Sequence, residues 1–415
     1  MVWQETTLGT LLRIKHGFAF RGEFFRDTGP AILLTPGNFK AEGGLKLKGD
    51  KEKYYVGPIP DEFVLAEGDM IVAMTDLTQN APILGSAAIV PESGRFLHNQ
   101  RLGKVVDVNS RLATREFVYY LFNSEAVRAQ IRATATGATV RHTAPERIYS
   151  VRVALPPLPV QRRIASILSA YDDLIENCER RIRVLDEMAR SLYREWFVNY
   201  RYPGHESVPL VDSPMGRIPK GWEVTSASTA LEINPRVKVP RTGELPFVPM
   251  GSLSNDSMVI SDIETRDRPS GSKFQNNDTL FARITPCLEN GKTGFVQFLP
   301  DDESAACGST EFIVLRGRSV PPQFVYCLAR SPEFRDHAIK SMTGATGRQR
   351  VQEACFDRYF LAQPPAALLE RFEEITKPMF TLVQTLHTRV ANLRQTRDLL
   401  LPRLLSGQLS VEEVE

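Results

Sequence analysis

The 415-residue chain has little cysteine and little histidine, and both are scattered. Its cysteines, Cys178, Cys287, Cys307, Cys327 and Cys355, are odd in number and form no C-x-x-C pair. That indicates neither a disulfide framework nor a zinc knuckle, but reduced, mostly buried thiols. Six histidines without H-E-x-x-H, and no partnered G-x-S-x-G, offer neither a zinc site nor a triad. No apolar run approaches the length of a membrane span, and MVWQETTLGTLLRIKHG lacks the basic, apolar, small order of a secretory signal, so a cytoplasmic protein is expected. Net charge is nearly absent: 51 Lys and Arg against 49 Asp and Glu leave +2. Any site for a polyanion must therefore come from local clustering.

Catalytic signatures are missing too. PCLENGKT ends like a phosphate-binding loop but carries Pro286 where the first glycine belongs, so the cradle of backbone amides cannot form. No G-x-G-x-x-G opens a helix, and no N-P-P-aromatic or D-P-P-aromatic stretch is present to hold a flipped base. PDEF at Pro60 and PDDESA at Pro300 are not followed by the carboxylate-x-lysine of a Mg²⁺ nuclease site. The expectation is a chain that is not an enzyme and holds no metal.

What the sequence does contain is a duplication. TGATVR at Thr136 returns as TGATGR at Thr343, 207 positions on, and FVYYLFNSEAVR at Phe117 returns as FVYCLARSPEFR at Phe324 with the same offset. GDMIVA at Gly68 aligns with NDTLFA at Asn277, Gly85 with Gly294, and each half opens on a tryptophan, Trp3 and Trp222. Gly137 and Gly344 are expected at positive φ, and the turns to be corners first and DNA contacts second. Each turn is followed by a strand-like run closed by prolines, YSVRVALPPL and RYFLAQPPAA, and each proline pair by a long helix.

In the first helix Ile164, Leu168, Tyr171, Ile175, Cys178, Ile182, Leu185, Ala189, Leu192 and Trp196 alternate spacings of four and three, the seam of a coiled coil roughly 50 Å long. The second places Phe372, Met379, Leu386, Leu393 and Leu400 seven apart, with Ile375 and Leu382 between. Its other seam position weakens to Arg389, Thr396 and Arg403, and Pro378 is expected to kink or restart it. The segment RYPGHESVPLVDSPMGRIPKG reads as a linker, which a parallel pair would have to stretch over most of the helix length, so antiparallel packing is the economical choice. The reading is α+β: two pseudo-repeated mixed α/β domains, residues 1–155 and 222–363, separated by two long antiparallel coiled-coil helices, 156–200 and 364–407. A linker, 201–221, and a C-terminal tail, 408–415, complete it.

Two similar domains on a stiff spacer suit a long, regular ligand, and double-stranded DNA, whose half-sites lie roughly 34 Å apart, is one. An adaptor holding two protein-binding domains would have the same layout. Candidate DNA contacts are the polar loops that differ between copies: Thr78, Gln79 and Asn80; Asn99, Gln100 and Arg101; Thr139, Arg141 and His142; then Arg283, Asn290 and Lys292; Ser309 and Thr310; Arg348, Gln349 and Arg350. Arginine can bridge phosphates or bind guanine bidentately, and amides can complete a reading surface, whereas arginines on helices are usually solvated or salt-bridged. For partner docking the candidates are Trp196, Phe197, Leu400, Leu404 and Leu405, with completion of the helical core as the competing reading.

VRVALPPLPVQRRIA, SLYREWFVNY, MGRIPKGWEV and TRDLLLPRLLSGQLSV, with the TGAT turns before each proline pair, resemble the specificity (S) subunit of type I restriction-modification enzymes over nearly the whole chain. The resemblance implies two target recognition domains, each reading half of an asymmetric, bipartite DNA site. It also implies helices that dock methyltransferase subunits, two as a rule, with restriction-translocase subunits joining. It implies no activity in the chain itself, since S-adenosylmethionine, ATP and Mg²⁺ belong to the partners. AQPPAALLERF lacks the glutamine of LPPLPVQRRI, so the second copy departs from the first at the start of its helix.

Overall fold

The computed structural model describes residues 3–240, 242–268, 270–345 and 347–411. Thr346 of the second TGAT turn and residues 412–415 of the expected tail lie outside them. The chain divides into two compact units, Met1–Asp173 with Leu393–Glu415, and Leu174–Asn392. No described helix is long and apolar enough to cross a membrane.

Each unit closes its domain by pairing its first strand with its last. In the first, Gln4–Thr7 runs antiparallel to Arg152–Leu155; in the second, Glu223–Ser226 pairs with Phe360–Gln363. The main sheets also share one order. Leu12–His16, Leu102–Val108, Met70–Ala73 and Ala87–Ile89 form the first; Leu231–Ile233, Phe312–Gly317, Thr279–Ala282 and Thr293–Phe295 form the second. The central strands Met70–Ala73 and Thr279–Ala282 are buried at every residue, in keeping with their predominantly apolar sequences MIVA and TLFA. A smaller four-stranded sheet accompanies each.

Two short helices complete each domain: Arg115–Phe122 and Glu125–Ala133, then Pro322–Arg330 and Pro332–Lys340. Ser124 and Ser331 accept the amides of Val127 and Phe334 and so start the second helix of each pair. That is the physical content of the repeated NSEAVR and RSPEFR.

The first long helix, Leu158–Tyr193, ends in a π-helical turn, Arg194–Val198; the second is Ala366–Ser406. In the first unit the start of one helix joins the end of the other in one core, Ile164 and Leu168 with Leu404. In the second unit the end of the first helix meets the start of the second, Trp196 lying 6.1 Å and Phe197 5.0 Å from Phe372 between ring centroids. The helices therefore run antiparallel.

The seam expected in the first helix is buried at Ile164, Leu168, Ile175, Cys178, Ile182, Ala189 and Trp196 and half-buried at Tyr171, Leu185 and Leu192. The second helix departs from its expected register. Its buried face is Leu369, Phe372, Thr376, Phe380, Val383, Leu386 and Val390, whereas Ile375 is 37 % exposed and Met379 and Leu382 are half-buried. A polar residue can occupy that seam because the Thr376 hydroxyl donates to the Phe372 carbonyl at 2.7 Å. Helix and hydrogen bonding continue past Pro378, which lies on the exposed face and does not restart the helix. The expected linker also contains more than a path, since Leu210–Ser213 and Gly216–Pro219 form a hairpin.

A tyrosine–aspartate–arginine clasp fastens each domain to the helices of its own unit. Tyr120 donates to Asp172 at 2.8 Å, and Arg397 meets the other carboxylate oxygen at 2.6 Å. In the second unit Tyr326 and the Met258 amide donate to Asp186 at 2.7 and 3.1 Å, with Arg190 Nε 3.0 Å away. Burial pushes the Asp186 carboxyl above its ordinary range, and these partners oppose the shift.

Trp196 and Phe197, proposed from sequence for docking, are 5 % and 6 % exposed. They sit among Tyr193, Trp222, Phe324 and Phe372, so the structure gives them to the core. Leu404 is likewise buried, and Leu400 and Leu405 are partly buried against the same core as Ile164. Phe197→Ala should cost about 3–5 kcal/mol. A chemical denaturation midpoint will detect it, and a stability-neutral Phe197→Ala chain would contradict this placement.

Candidate nucleic-acid interface

The residue that follows each central strand decides which loops meet. In the first unit the Met74 amide donates to the Arg101 carbonyl at 3.0 Å, and its carbonyl accepts the Thr143 amide at 3.0 Å. In the second unit the Arg283 amide donates to Glu311 at 2.9 Å, and its carbonyl accepts the Val351 amide at 2.8 Å. Each TGAT corner is then closed by a reciprocal pair, Thr136 with His142 and Thr343 with Arg350. Gly137 and Gly344 have φ of 93° and 125°, and a Cβ at Gly137 would lie 2.0 Å from the Val140 carbonyl oxygen. The corner thus requires glycine, which explains why the motif recurs.

By this route three loops, distant in sequence, share one edge of each unit. In the first, Thr75–Asp76 pairs with Arg141–His142, and Thr75 Oγ1 lies 3.0 Å from His142 Nδ1. Thr78, Gln79 and Asn80 are exposed on a turn shaped by buried Asp76, which accepts from the Thr78 amide and hydroxyl at 2.9 and 2.8 Å and from the Ile83 amide at 2.8 Å. Gln100, Arg101, Thr139 and His142 are exposed beside them. Asn99 is half-buried, its side-chain oxygen Oδ1 accepting the Arg101 amide at 3.0 Å. Arg141 reaches back to the carbonyls of Arg132 and Ala135 at 3.0 and 3.4 Å, so its guanidinium braces the corner.

In the second unit Arg348 and Arg350 are exposed and Gln349 is half-buried; the Gln349 amide donates to Thr285 Oγ1 at 3.1 Å. Thr310 is exposed, and half-buried Ser309 accepts the Glu311 amide at 3.2 Å. Lys292 is committed inward, its ammonium donating to the carbonyls of Met250, Gly251 and Leu253 at 2.9, 3.3 and 2.9 Å. Arg283 is committed through Glu353 and the Val351 carbonyl, both at 3.2 Å. Asn290 is half-buried, its amide bonded to the Pro286 carbonyl at 2.9 Å.

Sequence reasoning missed Arg236 and Lys273. Both are exposed, and with Asn234, Arg283, Ser272 and Thr310 they line a cleft of about 580 Å³ beside the loops of the second unit. The signal available was NPRVKVPR, where prolines hold basic residues out of any regular element. An edge of exposed amides, hydroxyls, guanidiniums and one imidazole can donate to and accept from base edges and phosphates.

His98, at the root of the Asn99–Arg101 loop, is fully buried; Nε2 lies 3.0 Å from the Leu102 carbonyl, and Nδ1 has no partner among the described residues. Burial pushes its pKa down to about 4.

Two such loop-presenting domains, each followed by a long helix, make the chain a duplicated two-domain protein. Residues 2–187 match the family described as type I restriction modification DNA specificity domain. The chain is 24 % identical over 349 residues to the type I restriction enzyme MjaIX specificity subunit of Methanocaldococcus jannaschii, covering 81 % of this chain and 78 % of that one. It is 29 % identical over 208 residues to the EcoAI specificity subunit of Escherichia coli, covering 48 % of this chain and 35 % of the relative. Its fold is similar to the crystal structure of the type I restriction-modification S subunit from M. genitalium, with a TM-score of 0.57 at 14 % identity over 98 % of this chain and 96 % of that one. Residues 2–187 thus resemble a type I restriction modification DNA specificity domain, and most of the chain resembles the specificity subunits of type I restriction enzymes.

Two expectations follow from the geometry. Asp76→Ala leaves the Thr78 and Ile83 amides without their acceptor and should cost about 1–3 kcal/mol, read as a shifted denaturation midpoint. His98 is depressed in the folded state, so the unfolded chain binds more protons between pH 6.5 and 4. Its contribution is therefore present above pH 6.5 and lost as pH falls toward 4, up to about 3 kcal/mol. His98→Asn should flatten that segment of the stability–pH curve.

Proposed function

We propose that the chain reads an asymmetric, bipartite DNA sequence, with residues 1–155 and 222–363 each recognising one half and the helices of 156–200 and 364–407, joined by the 201–221 linker, setting the spacing. The observation that carries this reading is the shared edge: one set of backbone bonds gathers three loops in each domain, and the loops differ in side chains between copies. A common frame with divergent exposed loops suits two readers of different sequences. In the first unit Thr78, Gln79, Asn80, Gln100, Arg101, Thr139 and His142 would make the contacts; in the second, Thr310, Arg348, Gln349, Arg350 and the cleft cations Arg236 and Lys273.

The partners under this reading are double-stranded DNA, two methyltransferase subunits and the restriction-translocase subunits. S-adenosylmethionine, ATP and Mg²⁺ are held by those subunits and not by this chain. Docking falls to side chains that remain accessible. In the first unit a cleft of about 630 Å³ is lined by Tyr119, Arg152, Leu401, Pro402 and Leu405 among others, with Leu399 55 % exposed on the same helix end.

Transplanting residues 1–155 from a relative with a different target should change one half of the methylated motif and leave the other half and the spacing as they were. Mapping methylated sites in the host reads the result. A change in both halves would reject two independent readers, and no sequence-selective methylation or binding by the parent complex would favour a protein-binding adaptor instead.

A further inference from the structure

The shared bonding pairs positions across the two units, and their chemistry differs at one place in particular. Glu311 occupies the position of Arg101, each receiving the amide of the residue after the central strand, and Arg350 occupies that of His142 in the TGAT corner. In the second unit the two side chains meet. Arg350 Nε donates to the two Glu311 oxygens at 3.1 and 2.9 Å, and Nη2 donates to Oε1 at 2.6 Å. The arginine side chain is 47 % exposed and the glutamate 22 %, so the carboxylate lies beneath and the guanidinium above it.

A guanidinium has five N–H groups in a fixed plane, and this carboxylate engages one edge of it, from Nε to Nη2. The outer end, where Nη1 and the second N–H of Nη2 point the same way, has no bond among the described residues. Two parallel donors at that end match guanine O6 and N7, a pair of acceptors that no other base presents in the major groove. Adenine would set its N6 amino donor against one of them. The buttress has two further effects. It removes rotamers that a free arginine would lose on binding, and it neutralises the charge that would otherwise draw the side chain to phosphate. Arg283 is not equivalent, because its Nη1 and Nη2 are both taken by protein acceptors.

We infer that Arg350, held by Glu311, is the specificity-determining residue for a guanine in the half-site faced by the second unit, donating from Nη1 and Nη2 to O6 and N7. This rests on the DNA-reading function proposed above and deepens it.

The test uses the full chain in a host whose own copy is deleted, with methylated motifs mapped for the parent and for Arg350→Ala, Arg350→Lys and Glu311→Gln. Binding of the purified complex to DNA carrying each base at the implicated position accompanies it. The parent motif should contain a G·C pair in one half. Arg350→Ala should lower discrimination at that pair about tenfold or more, leave the other half intact, and not be rescued by lysine, which lacks the fork. Glu311→Gln should weaken discrimination at the same pair while raising overall affinity, because an acidic group is removed; a purely structural glutamate would lower both together. Retained methylation of the untouched half reports a folded chain in every variant. A parent motif with no G·C pair in either half, or Arg350→Ala or Arg350→Lys with unchanged discrimination, overturns the guanine assignment and leaves two-domain reading standing. A parent chain that directs no motif at all removes the reading on which the inference rests.

Discussion

Two backbone groups on one residue, the N–H and C=O of Met74 in the first unit and of Arg283 in the second, hold the candidate surface together. Each residue leaves a fully buried strand and uses its donor on one loop and its acceptor on another. Main-chain bonding carries no side-chain requirement, so the frame tolerates methionine at one position and arginine at the other. Loops fastened in this way can exchange side chains without losing their place. A reader of DNA needs that separation between what positions and what discriminates.

The attachment of each domain to its helices follows a different principle. Tyr120 with Asp172 and Arg397, and Tyr326 with Asp186 and Arg190, are both polar clasps, yet they are built from different positions. Tyr326 aligns with Tyr119 rather than Tyr120 at the 207-residue offset, and the aspartates come from opposite parts of the same helix. A buried carboxylate without partners would be costly, and the buried acid, Asp186, finds its donors within its own unit. The aromatic cluster of Tyr193, Trp196, Phe197, Trp222, Phe324 and Phe372 adds apolar burial in the second unit. Trp3 occupies a related position in the first, its ring 3.1 Å from where a Cβ on Gly407 would stand. The tryptophans that open the two halves are thus packing residues at helix ends.

Side chains proposed from sequence as functional divided according to burial and bonding, and residue type alone could not foretell the division. Arg141, Arg283 and Lys292 carry the right charge but are used by carbonyls and a carboxylate of their own unit. Arg236 and Lys273 lie 37 residues apart in sequence and line one cleft. Arginine in a loop reads the same from sequence whether its fork faces solvent or a neighbour's backbone.

The sequence by itself determined the duplication, the glycine corners and the long helices, because these rest on local conformational preference and on periodicity that neighbouring residues share. Gly137 must be glycine whatever surrounds it, and four–three spacing makes an apolar face in any context. The tertiary structure alone decided the register of the second long helix, where a threonine satisfied by its own backbone takes a seam position. It also decided the inward fate of Trp196 and Phe197, and the meeting of Glu311 with Arg350 across 39 residues. Those outcomes depend on which polar groups find partners once distant segments are brought together, and that information is distributed over the whole chain.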